Sequence, residues 1–147
     1  MAMRYCSLAD LQLAIPQQTL VWLSNDDSAA TELSLPVVEE AVRQAEELAD
    51  AHLRGRYVLP MDPVPTVVKD IVVHLARHWL YARRPEGSEL PDAVARTYKS
   101  GLQLLESIRD GKLTLGALAT GETQPEPGEV AVRSRPRTFD DDLMGRY

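Results

Sequence analysis

The sequence is short of the residues that most catalytic chemistry and most secreted frameworks need. It holds one cysteine, Cys6, and three histidines, His52, His74 and His78, in 147 residues. A single thiol forms no internal disulfide, and there is no CxxC pair or cysteine-based zinc spacing. Aromatic residues make up 5% with a single Phe, so the core has to come from Leu, Val, Ile and Ala, which suit helix packing. Positive charge is also scarce: 16 Lys and Arg against 22 Asp and Glu leave a net charge of −6. That balance speaks against a protein whose main task is coating nucleic acid, because phosphate binding needs clustered cations. A local basic rim remains compatible with it. No apolar run approaches the roughly 20 residues that cross a bilayer. The opening Met1-Ala2-Met3-Arg4-Tyr5-Cys6 lacks the charged segment and apolar stretch of a signal peptide. The expectation is a soluble protein made and kept in a cytoplasm, with no membrane partner.

What is present is helical patterning. Ser7-Leu8-Ala9-Asp10 reads as a variant capping box opening a short helix that stops near Pro16. A second short helix, Gln17 to Ser24, carries Leu20, Val21, Trp22 and Leu23 and breaks at Asn25-Asp26-Asp27-Ser28. Ser34-Leu35-Pro36 opens the first long helix, with Pro36 placed where its missing N–H costs nothing. Val38, Ala41, Val42, Ala45, Leu48, Ala49 and His52 keep a helical period along it. Glu39, Glu40, Arg43, Glu46, Glu47 and Asp50 are assigned to an opposite, solvated acidic face, and Gly55 ends the helix. Residues 56–65 are punctuated by Pro60, Pro63 and Pro65, which forbid a regular helix and predict a rigid loop on the core. A helix over about 66–84 follows, with a stripe of Val68, Ile71, Val72, Leu75, Trp79 and Ala82. Val73, Leu80 and Tyr81 widen its apolar surface, which predicts a central position or a subunit interface. A third long helix spans about 91–110 on Val94, Tyr98, Leu102, Leu105 and Ile108, with Gly111 as its cap.

Lys112-Leu113-Thr114-Leu115-Gly116 alternates briefly, as a short strand or an extended arm. Residues 117–129 are rich in Gly, Pro, Thr and Glu, a composition that buries too little surface to fold alone. The sequence therefore reads as a mainly α protein: a small bundle of two short N-terminal helices and three longer ones over residues 1–116. A flexible linker over 117–129 and an extended C-terminal arm over 130–147 complete it.

Candidate chemistry is sparse. His74 and His78 stand four apart, on one helical face at metal-ligand spacing, but no HExxH pattern is present and local hydrogen bonding or an interface border accounts for them better. Cys6 ahead of a helix start is a conceivable thiolate, yet nothing in the pattern joins it to a base, and a small buried apolar role fits it better. Adjacent carboxylates such as Glu39-Glu40 and Glu46-Glu47 sit in a charge run that serves solubility. Glycines are too dispersed for a phosphate-cradling loop. Arg77, Arg83 and Arg84 form a basic patch to which Arg54 and Arg56 can add. Two readings of it stand level: favourable charge near helix C-termini, or a rim that meets an acidic neighbour or passing DNA.

Tyr5-Cys6-Ser7-Leu8-Ala9-Asp10-Leu11 resembles the opening of the Mu-like phage head–tail connector proteins. The resemblance continues through Leu53-Arg54-Gly55-Arg56-Tyr57-Val58-Leu59-Pro60, Val64-Pro65, Ala76-Arg77, Leu80-Tyr81-Ala82-Arg83-Arg84 and Tyr98-Lys99. Leu104-Leu105, Ile108, Gly111-Lys112-Leu113, Leu115-Gly116, Arg137-Thr138-Phe139 and Met144-Gly145 extend it in the same order. Only the stretch over 121–128 has nothing to match. The resemblance implies a structural, non-enzymatic virion protein at the head–tail neck, made in the host bacterial cytoplasm and needing no cofactor. Such adaptors form a ring of about twelve copies beneath the portal, extend the DNA channel and offer a docking surface to a stopper or tail-terminator protein. DNA is then only cargo passing through.

On that reading the arm residues Arg133, Arg135, Arg137, Phe139, Leu143 and Met144 are the expected partner contacts. Arg54, Arg56, Tyr57, Arg77, Arg83 and Arg84 are the candidate interface or channel rim. The alternative is a small helical DNA-binding regulator using the first two helices as a helix-turn-helix. Its recognition helix would offer Thr19, Leu20, Val21 and Trp22 without a single Lys or Arg. A hydrolase built on Cys6 is a third and unsupported possibility.

Overall fold

A computed structural model describes residues 3–84 and 89–117. Among these are five helices and no strand: α1 Leu8–Ala14, α2 Gln17–Ser24, α3 Leu35–Leu53, α4 Thr66–Ala82 and α5 Asp92–Arg109. The helix starts follow the local sequence. The Ser7 hydroxyl accepts from the Asp10 amide at 3.2 Å, and the Asp10 carboxylate accepts from the Ser7 amide at 2.8 Å, which completes the capping box. The Ser7 amide and the Ser7 hydroxyl, both donating to Asp10 Oδ2, hold the Asp10 carboxyl below its ordinary range. Pro36 lies in the first turn of α3. At the end of α5 the Lys112 amide donates to the Ser107 carbonyl and the Gly111 amide to that of Ile108, with Gly111 at φ +77°. This is a Schellman ending, and only glycine enters that left-handed conformation without penalty.

α4 lies at the centre of the bundle, packed against α3 and α5 and touched by α1 and α2. That position explains its wide apolar surface: Val68, Ile71, Val72, Val73, Leu75, Ala76 and Leu80 are all buried. Tyr98 of α5 stacks on His78 and Gly101 of α5 faces Ile71 and Leu75, so α5 runs antiparallel to α4. The core joins these helices to Tyr5, Cys6, Leu11, Ile15, Tyr57 and Met61. As expected, the proline-rich loop after α3 packs on the core, through Tyr57 and Met61, and it contains cis peptide bonds at Leu59-Pro60 and Asp62-Pro63. Residues 112–117 form no strand and run irregularly, with bends at Lys112, Leu113 and Ala117 and Gly116 at φ +65°.

One expectation fails on α3. Glu46 and Asp50 are each only 3% exposed and do not belong to a solvated acidic face. Each lies one turn further along the row that begins at Val42, so both border the apolar stripe. The chain's start crosses them and shuts out water. It also supplies the hydrogen bonds without which a buried carboxylate would cost several kcal/mol (about 1–3 for each lost bond).

Candidate assembly surface

The crossing at α3 sets one guanidinium among three carboxylates. The Arg4 and Tyr5 amides donate to Glu46 Oε1 at 2.6 and 2.9 Å. The Arg4 guanidinium reaches Glu46 Oε2 at 3.3 Å, Asp50 Oδ2 at 2.8 Å and Glu47 Oε1 at 3.1 Å. The Tyr5 hydroxyl donates to Asp50 Oδ1 at 2.5 Å. Burial, with the Asp50 carboxylate beside it, raises the Tyr5 phenol well above its ordinary range. Glu46 and Asp50 serve as an internal clamp between α3 and the start of the chain, with the exposed Glu47 at its edge. The row Val42-Glu46-Asp50 signals that both carboxylates border the apolar stripe, but not which segment covers them.

The basic patch divides in the same way. Arg83 Nη1 donates to the Leu23 carbonyl at 2.9 Å and Nη2 to Asp26 Oδ1 at 2.8 Å. Arg84 donates to the Trp22 carbonyl and lays its guanidinium carbon 3.3 Å from the centroid of the Trp22 ring. Both arginines thus satisfy the open C-terminal carbonyls of α2 from the end of α4, where the negative end of the helix dipole favours them. Arg77 sits over the Tyr81 ring at 6.0 Å. Arg54 is the exposed cap residue of α3. Arg56 is half-buried with its Nη1 only 2.7 Å from where a side chain on Gly111 would begin, and its Nε has no hydrogen-bond partner among the described residues. Because α5 is antiparallel to α4, Gly111 and Arg56 lie at the far end of α4 from Arg83 and Arg84. Arg54 and Arg56 therefore do not extend that patch. Tyr57 is 1% exposed, and its hydroxyl accepts from the Leu115 amide at 3.0 Å, which makes it a core post and not part of a rim. Arg133, Arg135, Arg137, Phe139, Leu143 and Met144 lie outside the described residues.

The remaining chemical candidates are placed for structure. Cys6 is 6% exposed, and burial, with the nearby Glu46 and Asp10 charges, pushes its thiol up to about 12. It is protonated at neutral pH and poorly suited to attack. His78 stacks on Tyr98 with ring centroids 3.8 Å apart. His74 Nδ1 is buried with no partner among the described residues. Burial lowers both histidines, and the Arg77 charge adds to the effect at His74.

Apolar surface remains on several faces. Leu13 is 89% exposed, and Trp22, Leu35, Val58, Val67 and Leu104 are also exposed. Leu13 stands beside Ala14, Val73 and His74 at a shallow hollow of about 220 Å³. A larger hollow of about 470 Å³ lies between the proline-rich loop and residues 115–117. No described helix is long and apolar enough to cross a membrane.

Fold and site together define a small helical protein whose buried charges hold the bundle and which exposes single large apolar side chains on each of its helices. The profile of the family "Bacteriophage Mu, Gp36" matches residues 5–134, and the chain belongs to that family of Mu-like phage proteins. It is 29% identical over 138 residues to "Gene product J" of Escherichia phage Mu, covering 93% of this chain and 94% of that one. It is 30% identical over 106 residues to "Mu-like prophage FluMu protein gp36" of Haemophilus influenzae, covering 72% of this chain and 69% of the relative.

Proposed function

We propose that the chain is a structural head–tail connector subunit of a Mu-like phage particle and not an enzyme. In this reading it is made in the host bacterial cytoplasm and takes its place at the particle's neck. About twelve copies close into a ring beneath the portal, extend the DNA channel and present a surface to a stopper or tail-terminator protein. No cofactor is required, and DNA passes through as cargo.

The observation that carries this reading is membership of a Mu phage family by a bundle with exposed apolar residues on several of its helices, Leu13 of α1 foremost. A ring repeats one heterologous contact, so each subunit needs two different sticky faces. Large apolar side chains exposed on separate helices are the candidates for those faces. The net charge of −6 suits a channel wall that must not hold the DNA sliding past it. The regulator reading finds little support in α2: Leu20, Val21, Leu23 and Ser24 are buried, and the helix itself carries no Lys or Arg to meet a phosphate.

Deleting the coding sequence from the parent phage tests the proposal. The expected result is DNA-filled heads and separate tails that fail to join, seen by electron microscopy. Complete, infective particles without this protein would contradict it.

A further inference from the structure

Arg56 is held in place without being bonded. Its backbone is fixed on both sides: the Arg56 and Tyr57 amides donate to the Leu53 carbonyl at 2.9 and 3.0 Å, and the Tyr57 side chain is buried. The guanidinium lies against the cap of α5, where a side chain on Gly111 would begin 2.7 Å from Nη1 and 3.3 Å from Cζ. Nε is buried there with no hydrogen-bond partner. Nη1 and Nη2 also bond to no described residue, and neither is buried. A partly desolvated guanidinium without an acceptor is costly, and buried polar groups are as a rule matched by protein, water or a ligand.

The charge around it is positive and largely unpaired. Arg54 stands two residues before Arg56, and Lys112 directly follows Gly111; both are exposed, and neither side chain bonds to a described residue. The acids of the neighbourhood are engaged or turned elsewhere. Asp50 is held by Arg4 and Tyr5, and Asp110 bonds Arg109 Nε at 3.1 Å. Asp62 borders the hollow beside the proline-rich loop, and Glu106 is exposed one turn before Asp110. None of the four is bonded to Arg56, Arg54 or Lys112.

We propose that the Nη edge of Arg56 is a binding site for a carboxylate, the side chain of an Asp or Glu on a partner polypeptide. Arg54 and Lys112 draw in the acidic segment that carries it. That edge offers two parallel N–H donors, the geometry in which a guanidinium meets a carboxylate. The fixed backbone and the Gly111 contact hold the fork ready, which lowers the ordering cost of binding. A carboxylate on a flexible side chain can enter beside a half-buried group, whereas a backbone phosphate flanked by two sugars approaches it poorly. Three free cations are also too few to track a nucleic-acid backbone against a net charge of −6. The site does not depend on the connector reading. On that reading it gives the end of the bundle away from Arg83 and Arg84 a contact for an acidic neighbour.

The test is NMR of the full chain at low salt, following the arginine Nε–Hε signals while acetyl-Glu-Glu-Glu-amide is added. Burial protects the Arg56 Nε–H from exchange with water, so its signal is visible near neutral pH, and its loss in Arg56→Lys identifies it. The expected result is a saturable shift of that signal. Arg56→Gln should bind the peptide about tenfold more weakly, read from the backbone amides of residues 54–57 and 110–113. Arg77→Gln, remote on α4, should bind like the parent chain. No saturable shift, or equal affinity in Arg56→Gln and the parent, would overturn the proposal. Inorganic phosphate or a duplex oligonucleotide moving the same signal at lower concentration than the peptide would overturn it in favour of a phosphate site. The shift in the parent chain decides the question even if Arg56→Gln does not fold. Each of these failures leaves the head–tail joining test untouched.

Discussion

The clamp that ties the chain's start to α3 and the hollow at its exit from the bundle are built from opposite materials. In the first, Arg4 and Tyr5 meet two buried carboxylates, Glu46 and Asp50, through a set of short hydrogen bonds. In the second, prolines, Val58, Met61 and Leu115 surround open space. The clamp has geometry that one partner alone satisfies, and it sits inside the subunit. The hollow has shape and apolarity but few directional demands, so it can accept an occupant and release it. Polar specificity here holds the fold, while the apolar hollow stands open among the described residues.

Substitutions separate the two regions sharply. Glu46→Ala removes the acceptor for two backbone amides and strands part of the Arg4 guanidinium. Because Arg4 is itself 35% exposed, we expect a loss of about 3 kcal/mol, the low end for breaking a buried pair, read by urea unfolding. Val58→Asp in the hollow should change the same unfolding curve by less than about 0.5 kcal/mol yet weaken any contact made there. Equal losses from the two would erase the distinction. Gly111→Ala should cost about 1–2 kcal/mol, since a side chain at φ +77° is strained and would begin 2.7 Å from Arg56 Nη1.

Acid acts on the α4–α5 side. His74 and His78 both titrate below their ordinary value of 6.5 in the folded chain because burial disfavours their charged forms. The unfolded chain then binds more protons, so stability is full above pH 6.5 and falls as pH drops below it. Thermal midpoints should decrease between pH 7 and 5, and His78→Phe, which retains an aromatic ring on Tyr98, should flatten part of that decrease. One effect runs the other way. Gly101 is buried in α5 with space for a methyl 3.7 Å from Ile71 Cγ2, so Gly101→Ala should stabilise by about 0.5–1 kcal/mol. A loss on that substitution would mean that α4 and α5 pack more closely than described.

Much of this fold can be read from local signals. The Ser7 capping box, Pro36 in the first turn of α3 and Gly111 after α5 each set a boundary through backbone chemistry carried by neighbouring residues. The breadth of the apolar surface on α4 also points to its central place. What escapes the sequence is contact between distant segments. Nothing near Glu46 or Asp50 shows that Arg4 will cross them, and a helical wheel assigns an edge carboxylate to water by default. The arginines mislead for a related reason: Arg54, Arg56, Arg83 and Arg84 look like one group in composition, but the antiparallel pairing of α4 and α5 sends them to opposite ends. Of the candidate contacts, Arg83 and Arg84 are claimed by α2 and Tyr57 by the core, while the exposed Leu13 was not among the expected sites because one leucine on a short helix carries no distinguishing pattern.

The most direct measurement of the assembly account is molar mass by light scattering, on the protein alone and then mixed with the portal protein of the same phage. The account predicts subunits that become a portal-bound ring of about the portal's own copy number. Monomers that ignore the portal at any concentration would contradict it, and salt-dependent binding of duplex DNA by those monomers would favour the regulator reading instead.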